Sequence, residues 1–438
     1  MLSLLAVLAH GMTLEQQLED AQVFRDAAAQ HPARTLYSSE EELAQAWTEL
    51  IAQLDEPRDP WSFWGLIAPY AARIGCGHSG VDAGPTMVQR RPLNTVPFPL
   101  DLVVVDGELA VDPRGGEPWG RVVSIQGVEA ATLLPKLRAM TSSDALSTPF
   151  QDHQIDAFAW YLVPAVVGPA ERYSVEIVRD GENETLDVGW EDHRPLVWGG
   201  PPADKRVERV PVGDGFVVRA SFEEFQGRGK MRRKVIKPIH RAVKQGAKGV
   251  IVDLRRNGGG DWTAAADLLA HWQDAPWPTY DARIITRALA EERGWNPERT
   301  LWTLRDDGLV DMGYGDMAEW PPATPHLDVP LVVLTGGLTF STAADVAAFV
   351  RRDELGTLVG SPTGGSGRVQ TSQASIDGRL PNSDLPYSIA LHRSDLADPT
   401  GSLGPGDVVH PHVEVEPSLE DLAAGRDPVM DAALALFD

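Results

Sequence analysis

Residues 329–352 read VPLVVLTGGLTFSTAADVAAFVRR. Leu331 to Leu334 form a short, unbroken apolar run, the pattern of a strand buried on both faces of a sheet. Gly336 and Gly337 end that run. From Thr342 the chain turns alanine-rich with apolar residues at helical spacing, so a helix opens directly behind Ser341. The same grammar occurs upstream at 249–269, GVIVDLRRNGGGDWTAAADLL, and a further strand, GTLVG, follows at 356–360. Strand, glycine turn, helix and strand in series predict a layered α/β core with parallel strands. In such cores ligands collect where strands end and helices begin, so the two glycine turns are the expected site.

Ser341 has two readings. A hydroxyl at a helix start serves as an N-cap, accepting from a free amide of the first turn. The alternative is a nucleophile. Its side chain sits at the positive end of a helix dipole, and the Thr342 amide is an unclaimed donor there. In RRNGGGD three consecutive residues lack side chains, which lets the amide of Gly259 or Gly260 approach a reacting carbonyl. Two amides from two turns complete an oxyanion hole. A serine hydroxyl also needs a base. His78, in ARIGCGHSGV at 72–81, is the histidine held in a glycine-rich turn and is the candidate.

Composition narrows the class. The chain has 438 residues with 43% hydrophobic content, 41 glycines and 34 prolines, which describes a folded protein of several domains. Its 39 basic and 63 acidic residues give a net charge of −24, so phosphate backbones and anionic membranes are repelled and nucleic acid is not an expected partner. A single cysteine, Cys76, excludes an intramolecular disulfide framework. Leu2 to Ala9 is apolar but lacks preceding basic residues; residues 1–16 read either as the remnant of an export signal or as an ordinary hydrophobic helix start. No other stretch approaches the roughly 18 apolar residues of a membrane span.

Residues 17–95 carry helical periodicity, as in Leu43, Trp47, Leu50, Ile51 and Leu54, and end in the histidine turn. Residues 96–200 switch to short alternating runs such as LDLVVVDGELAV and YSVEIVRDGENETLDV with Asp-Gly turns, a small β-rich domain. Within it GRVVSIQGVEAATLLPKLRAM reads as strand, turn and helix, like the PDZ modules that add an extended peptide as a strand. Residues 205–438 form the α/β core. There RGKMRRKVIKPIHRAVKQGAK places Met231, Val235, Ile239 and Val243 on one helix face and many cations on the other, a solvated face or a surface for an acidic partner. The segment 262–327 is rich in tryptophan and is expected to shape or cover a cleft.

These motifs resemble the S41 serine peptidases, the group of the C-terminal processing peptidases, the tricorn core protease and interphotoreceptor retinoid-binding protein. VIVDLRRNGGG resembles its strand-and-turn signature, LTGGLTFSTAADVAAFV its nucleophile segment with Ser341 in the nucleophile position, and ARIGCGHSGV its histidine motif. GTLVGSPTGGSGRVQ and the tail from Val408 resemble the strand, loop and closing segment that follow. The resemblance implies a ββα-layered core of the crotonase-like or ClpP-like kind. It also implies a serine-type endopeptidase or carboxy-terminal processing peptidase with peptide or protein substrates, no cofactor and no metal. Its members further imply an exported protein, should a signal precede the core.

Departures favour one branch. The processing peptidases use a lysine in the loop after the nucleophile; here TGGSGRVQ has Ser366 at that position, and Arg368 is too firmly protonated to act as a base. The tricorn-like branch uses Ser and His with a carboxylate, and His78 fits it. The carboxylate is not evident in GSLGPGDVV, where Asp407 is a weak substitute. Two other readings stay open: a lapsed enzyme that binds an apolar ligand or peptide, and an esterase suggested by GHSGV, which departs from the G-x-S-x-G elbow at Val81.

Overall fold

The computed structural model describes residues 11–83, 96–112, 119–192, 206–315, 318–402, 404 and 408–438. The apolar run Leu2 to Ala9 and Asp407 lie outside the described residues. Two compact units divide the chain: 1–196 with 285–294 and 371–392, and the remainder. The helical segment and the β-rich segment expected as separate domains both fall in the first unit.

In the first unit three helices lead: Leu14–Ala28, Glu40–Gln53 and Pro60–Ala72. Each start is fixed locally. Thr13 and Ser39 form reciprocal capping boxes with Gln16 and Glu42, and Asp59 accepts from the amides of Trp61 and Ser62 ahead of a first-turn proline. An antiparallel sheet follows, in the order Asp101–Val105, Glu108–Asp112, Gly120–Ile125, Arg172–Arg179, Glu182–Gly189. Along Arg172–Arg179 buried Tyr173, Val175 and Ile177 alternate with exposed residues, as a sheet with one wet face requires. Helices Ala130–Ala139 and Thr148–Val167 cover the other face. Phe24, Phe63, Ile67, Leu102 and Ile125 are fully buried, and each contributes about 1.5–3 kcal/mol of burial free energy.

The second unit is built on the parallel sheet the sequence implies. Its order is Val413–Glu414, Thr357–Gly360, Leu331–Thr335, Val250–Asp253, Gly215–Ser221, Arg206–Val212. All neighbours run parallel except the outer hairpin of the last two strands. Every residue of Val250–Asp253 and of Leu331–Thr335 is buried, which explains their unbroken apolar character. Register pairs Asp253 with Leu334, so both glycine turns leave the same edge of the sheet. Helices Trp262–Leu269 and Thr342–Arg352 begin there. In the tryptophan-rich segment Trp272 and Trp277 are buried, with Trp277 packed edge-on against Phe349 at 5.0 Å, while Trp262, Trp295, Trp302 and Trp320 are half-buried. Among the described residues no helix is long and apolar enough to cross a membrane.

Candidate active site

Ser341 occupies the N-cap position of Thr342–Arg352 yet makes no side-chain cap hydrogen bond, and its backbone stands at φ 53°, ψ −132°. Side-chain caps elsewhere in this chain behave differently: Thr13, Ser39, Asp59 and Asp261, for example, have φ between −65° and −70° and accept from first-turn amides. A serine with positive φ costs about 1–3 kcal/mol and persists only where its surroundings impose it. Those surroundings are visible. The Thr339 hydroxyl donates to the Leu254 carbonyl at 2.9 Å, and the Thr339 carbonyl accepts from the amides of Gly364 and Gly365, both at 3.1 Å. The Phe340 amide donates to the Asn257 carbonyl at 3.2 Å. Ser341 is therefore clamped between the turns at 257–260 and 363–366.

Gly259 is the closest approach between the turns. A Cβ there would lie 2.7 Å from Ser341 Cβ and 3.0 Å from the Thr342 nitrogen. Its amide donates to Asn257 Oδ1 at 2.9 Å, while fully buried Asn257 donates from Nδ2 to the Phe222 carbonyl at 2.9 Å. The Gly260 carbonyl accepts from the Thr342 hydroxyl at 2.8 Å, tying the second turn to the helix start. The Thr342 amide meets no acceptor among the described residues, so it stays free to donate.

Upstream of this turn Asp253 anchors the strand end. Arg219 and Arg255 reach Asp253 Oδ2 at 2.6 and 2.9 Å, and Arg255 continues to Asp427 at 2.7 Å. Burial raises the Asp253 pKa, but the two arginines outweigh it and hold the carboxyl below its usual range. The sequence motif DLRRN is thus partly a scaffold for the glycine turn, which the motif alone does not reveal.

Ser366 is fully buried, and its hydroxyl accepts from the amides of Arg368 and Val369, each at 3.2 Å. It shapes the loop and supplies no base. Ser79, the serine of the elbow-like GHSGV, is buried too, and its hydroxyl accepts from the Ala390 amide at 2.9 Å, tying the histidine turn to a neighbouring strand.

His78 lies in the first unit, in the turn that leads to strand Gly80–Val81. It borders a cavity of about 470 Å³ whose lining includes Trp64, Phe158 and Tyr161. Desolvation pushes its pKa down to about 4, so the imidazole is neutral at physiological pH and able to accept a proton. Asp144, only 2% exposed, accepts from the neighbouring Gly77 amide at 2.8 Å. Ligand-type atoms of Cys76, His78 and Asp144 all lie within 4.8 Å of one another. Burial pushes the Cys76 thiol up to about 12, and it hydrogen-bonds Ser79 and Thr371. Without a cation nearby this thiol stays protonated at physiological pH.

His31, in the same unit, is driven to about 3, first by burial and then by the neighbouring charges of His78 and Arg34. Its Nδ1 accepts the Ala33 amide, which requires the neutral ring. The unfolded chain binds protons below about pH 6.5 that the folded chain refuses, so stability falls as pH drops from about 6.5 towards 4. His31 alone accounts for about 3 kcal/mol by pH 4. Denaturant midpoints of wild type and His31→Asn across this range test it; parallel curves would refute the assignment.

The second unit is a mixed α/β fold with Ser341 clamped at a strand-end turn. Residues 215–414, somewhat less than half of the chain, match the family model of peptidase family S41. Two curated relatives are carboxyl-terminal-processing proteases. That of Picosynechococcus sp. is 25% identical over 48% of this chain and 42% of its own length. That of Synechocystis sp. is 31% identical over 33% of this chain and 28% of its own. The chain thus spans less than half the length of these relatives. Among solved structures, mature CPAF complexed with lactacystin superposes with TM-score 0.64 at 14% identity, covering 97% of this chain and 98% of that one, a likeness of fold.

The sequence singled out Ser341, Thr342, Gly259, Gly260 and Ser366, and the second unit brings these together; His78 belongs to the first. Asp144 carries no motif in the sequence: it stands 67 positions from Gly77, in SSDALS, where it opens the short 3-10 turn Asp144–Leu146.

Proposed function

We propose that this protein is a serine peptidase of the Ser–His type that cleaves peptide or protein substrates by acyl transfer. The observation that carries the proposal is Ser341, a hydroxyl at a helix start that caps nothing and is held in a backbone conformation serine avoids. Ser341 attacks the scissile carbonyl while His78 takes its proton and later returns it to the leaving amine. The Thr342 amide holds the oxyanion. Gly259 is the second donor, exchanging Asn257 Oδ1 for the oxyanion when substrate arrives. The Ser–Lys alternative is disfavoured by Ser366, whose hydroxyl is spent on loop amides. The names of the two cyanobacterial relatives support cleavage near a carboxyl terminus as the mode of action.

The carboxylate partner of His78 is Asp144 in this reading. It acts as a positioning residue, favouring one imidazole orientation and stabilising the imidazolium. Asp144→Asn keeps an acceptor for the Gly77 amide and removes the charge, so kcat is expected to fall about 10²–10⁴-fold with KM little changed. A variant that lost thermal stability while keeping kcat would assign Asp144 a structural role only.

The proposal is tested by treating the wild-type protein with a fluorophosphonate and mapping the modified peptide. Stoichiometric modification of Ser341 is expected. A well-folded protein that stays unmodified would leave the family fold serving as a binding protein instead.

A further inference from the structure

The helical stretch Arg228–Met231, Arg232–Ile236 and Lys237–Lys244 is continuous, but its middle portion is a π turn. The cause is in the sequence. Pro238 has no N–H, so the usual bond to the Lys234 carbonyl is missing, and the Lys237 amide instead reaches back five residues to the Arg232 carbonyl. A π turn takes roughly one extra residue, which brings Lys237 round to the face that carries Arg232. Beyond it the ordinary spacing resumes and adds Arg241 and Lys244. The buried face keeps Met231, Val235, Ile239 and Ala242.

The cationic stripe lines a cavity of about 670 Å³, which Ala323, Thr324 and Pro325 also border. Its single carboxylate, Asp267, is consumed by Arg228 in a bidentate pair at 2.6 and 2.8 Å. Among the described residues Arg232, Lys237, Arg241 and Lys244 have no ion-pair partner. Two histidines complete the wall: His271 Nδ1 bonds the Pro325 carbonyl at 2.8 Å and lies 3.2 Å from His240 Nε2. Burial lowers the pKa of both rings, so they add hydrogen-bonding edges without adding repulsion among the cations. In a protein of net charge −24, four uncompensated cations converging on one hollow are a local reversal of the field.

We propose that this cavity is a binding site for a compact polyanion, a small molecule with two or more phosphate or carboxylate groups. The volume suits a small molecule rather than a folded partner. The two guanidinium groups of Arg232 and Arg241 offer the planar fork that phosphate and carboxylate oxygens share, and Lys237 and Lys244 supply point charges. The site is independent of the peptidase reading, since it shares none of the residues assigned to catalysis.

Calorimetric titration of the full chain with pyrophosphate and, separately, citrate tests the site. One-to-one binding of at least one anion is expected, and whichever binds more tightly identifies a phosphorylated or a polycarboxylate ligand. The triple variant Arg232→Gln, Lys237→Gln, Arg241→Gln is expected to weaken it at least about tenfold. The control is Lys230→Gln, Arg233→Gln, Lys234→Gln, which removes the same charge from the same helix away from the cavity. It is expected to change affinity less than about threefold. Equal losses in both triples would reduce the effect to diffuse potential and overturn the site. So would the absence of binding to either anion by the wild type, or binding of a glutamate-rich peptide alone.

Discussion

Ser341→Ala is expected to lower kcat for peptide hydrolysis by about 10⁶-fold, the scale on which removal of a catalytic serine acts. Residual turnover would come from oxyanion donors and substrate binding alone. The same position allows a second, independent reading of its strain. Alanine inherits the unfavourable φ of 53°, whereas glycine adopts that region freely. Ser341→Gly is therefore expected to be about 1 kcal/mol more stable than Ser341→Ala, despite the greater freedom glycine gives the unfolded chain. Denaturant midpoints of the two inactive variants measure this difference. An alanine variant that turned over at more than about one per cent of wild type would move the nucleophile elsewhere. Equal midpoints would remove the strain from the account.

Why that strain was invisible in the sequence is instructive. LTGGLTFSTAAD announces a strand, a turn and a helix, because apolar continuity and glycine are local signals. The dihedral angles of Ser341 are imposed from outside that segment, by the hydrogen bonds of Thr339 to Leu254, Gly364 and Gly365. No pattern within the motif encodes them. The parallel sheet was legible for the opposite reason: strands buried on both faces have no choice but to be apolar throughout. The triple glycine was legible as a close approach, yet the engagement of the Gly259 amide by Asn257 was not, since an asparagine before glycines reads simply as a turn residue. His78 drew attention through its glycines. Asp144 carried no such mark, and only the fold brings its carboxylate beside the histidine turn.

The turn opposite Ser341 gives the other large effect. Gly259 has φ 109°, and a methyl group added there would meet Ser341 Cβ at 2.7 Å, the Phe340 carbonyl oxygen at 3.0 Å and the Thr342 nitrogen at 3.0 Å. None of these atoms is the end of a flexible side chain. They are the backbone of the nucleophile segment and the root of Ser341, already fixed by bonds to two neighbouring turns. Gly259→Ala must therefore push the two turns apart or twist its own backbone, at about 2–4 kcal/mol of stability. Separating the turns displaces the Thr342 amide from Ser341's reaction partner as well, so a loss of at least about 10³-fold in kcat is expected beyond the stability change. Gly258→Ala is the internal control: one residue away, a Cβ there meets nothing within 4 Å. It is expected to keep its stability or gain a few tenths of a kcal/mol from reduced unfolded-state freedom. Chemical denaturation and steady-state hydrolysis of the two variants separate the possibilities. If Gly258→Ala proved as damaging as Gly259→Ala, the turn would be intolerant of side chains in general, and the close approach to Ser341 would not be what requires glycine at 259.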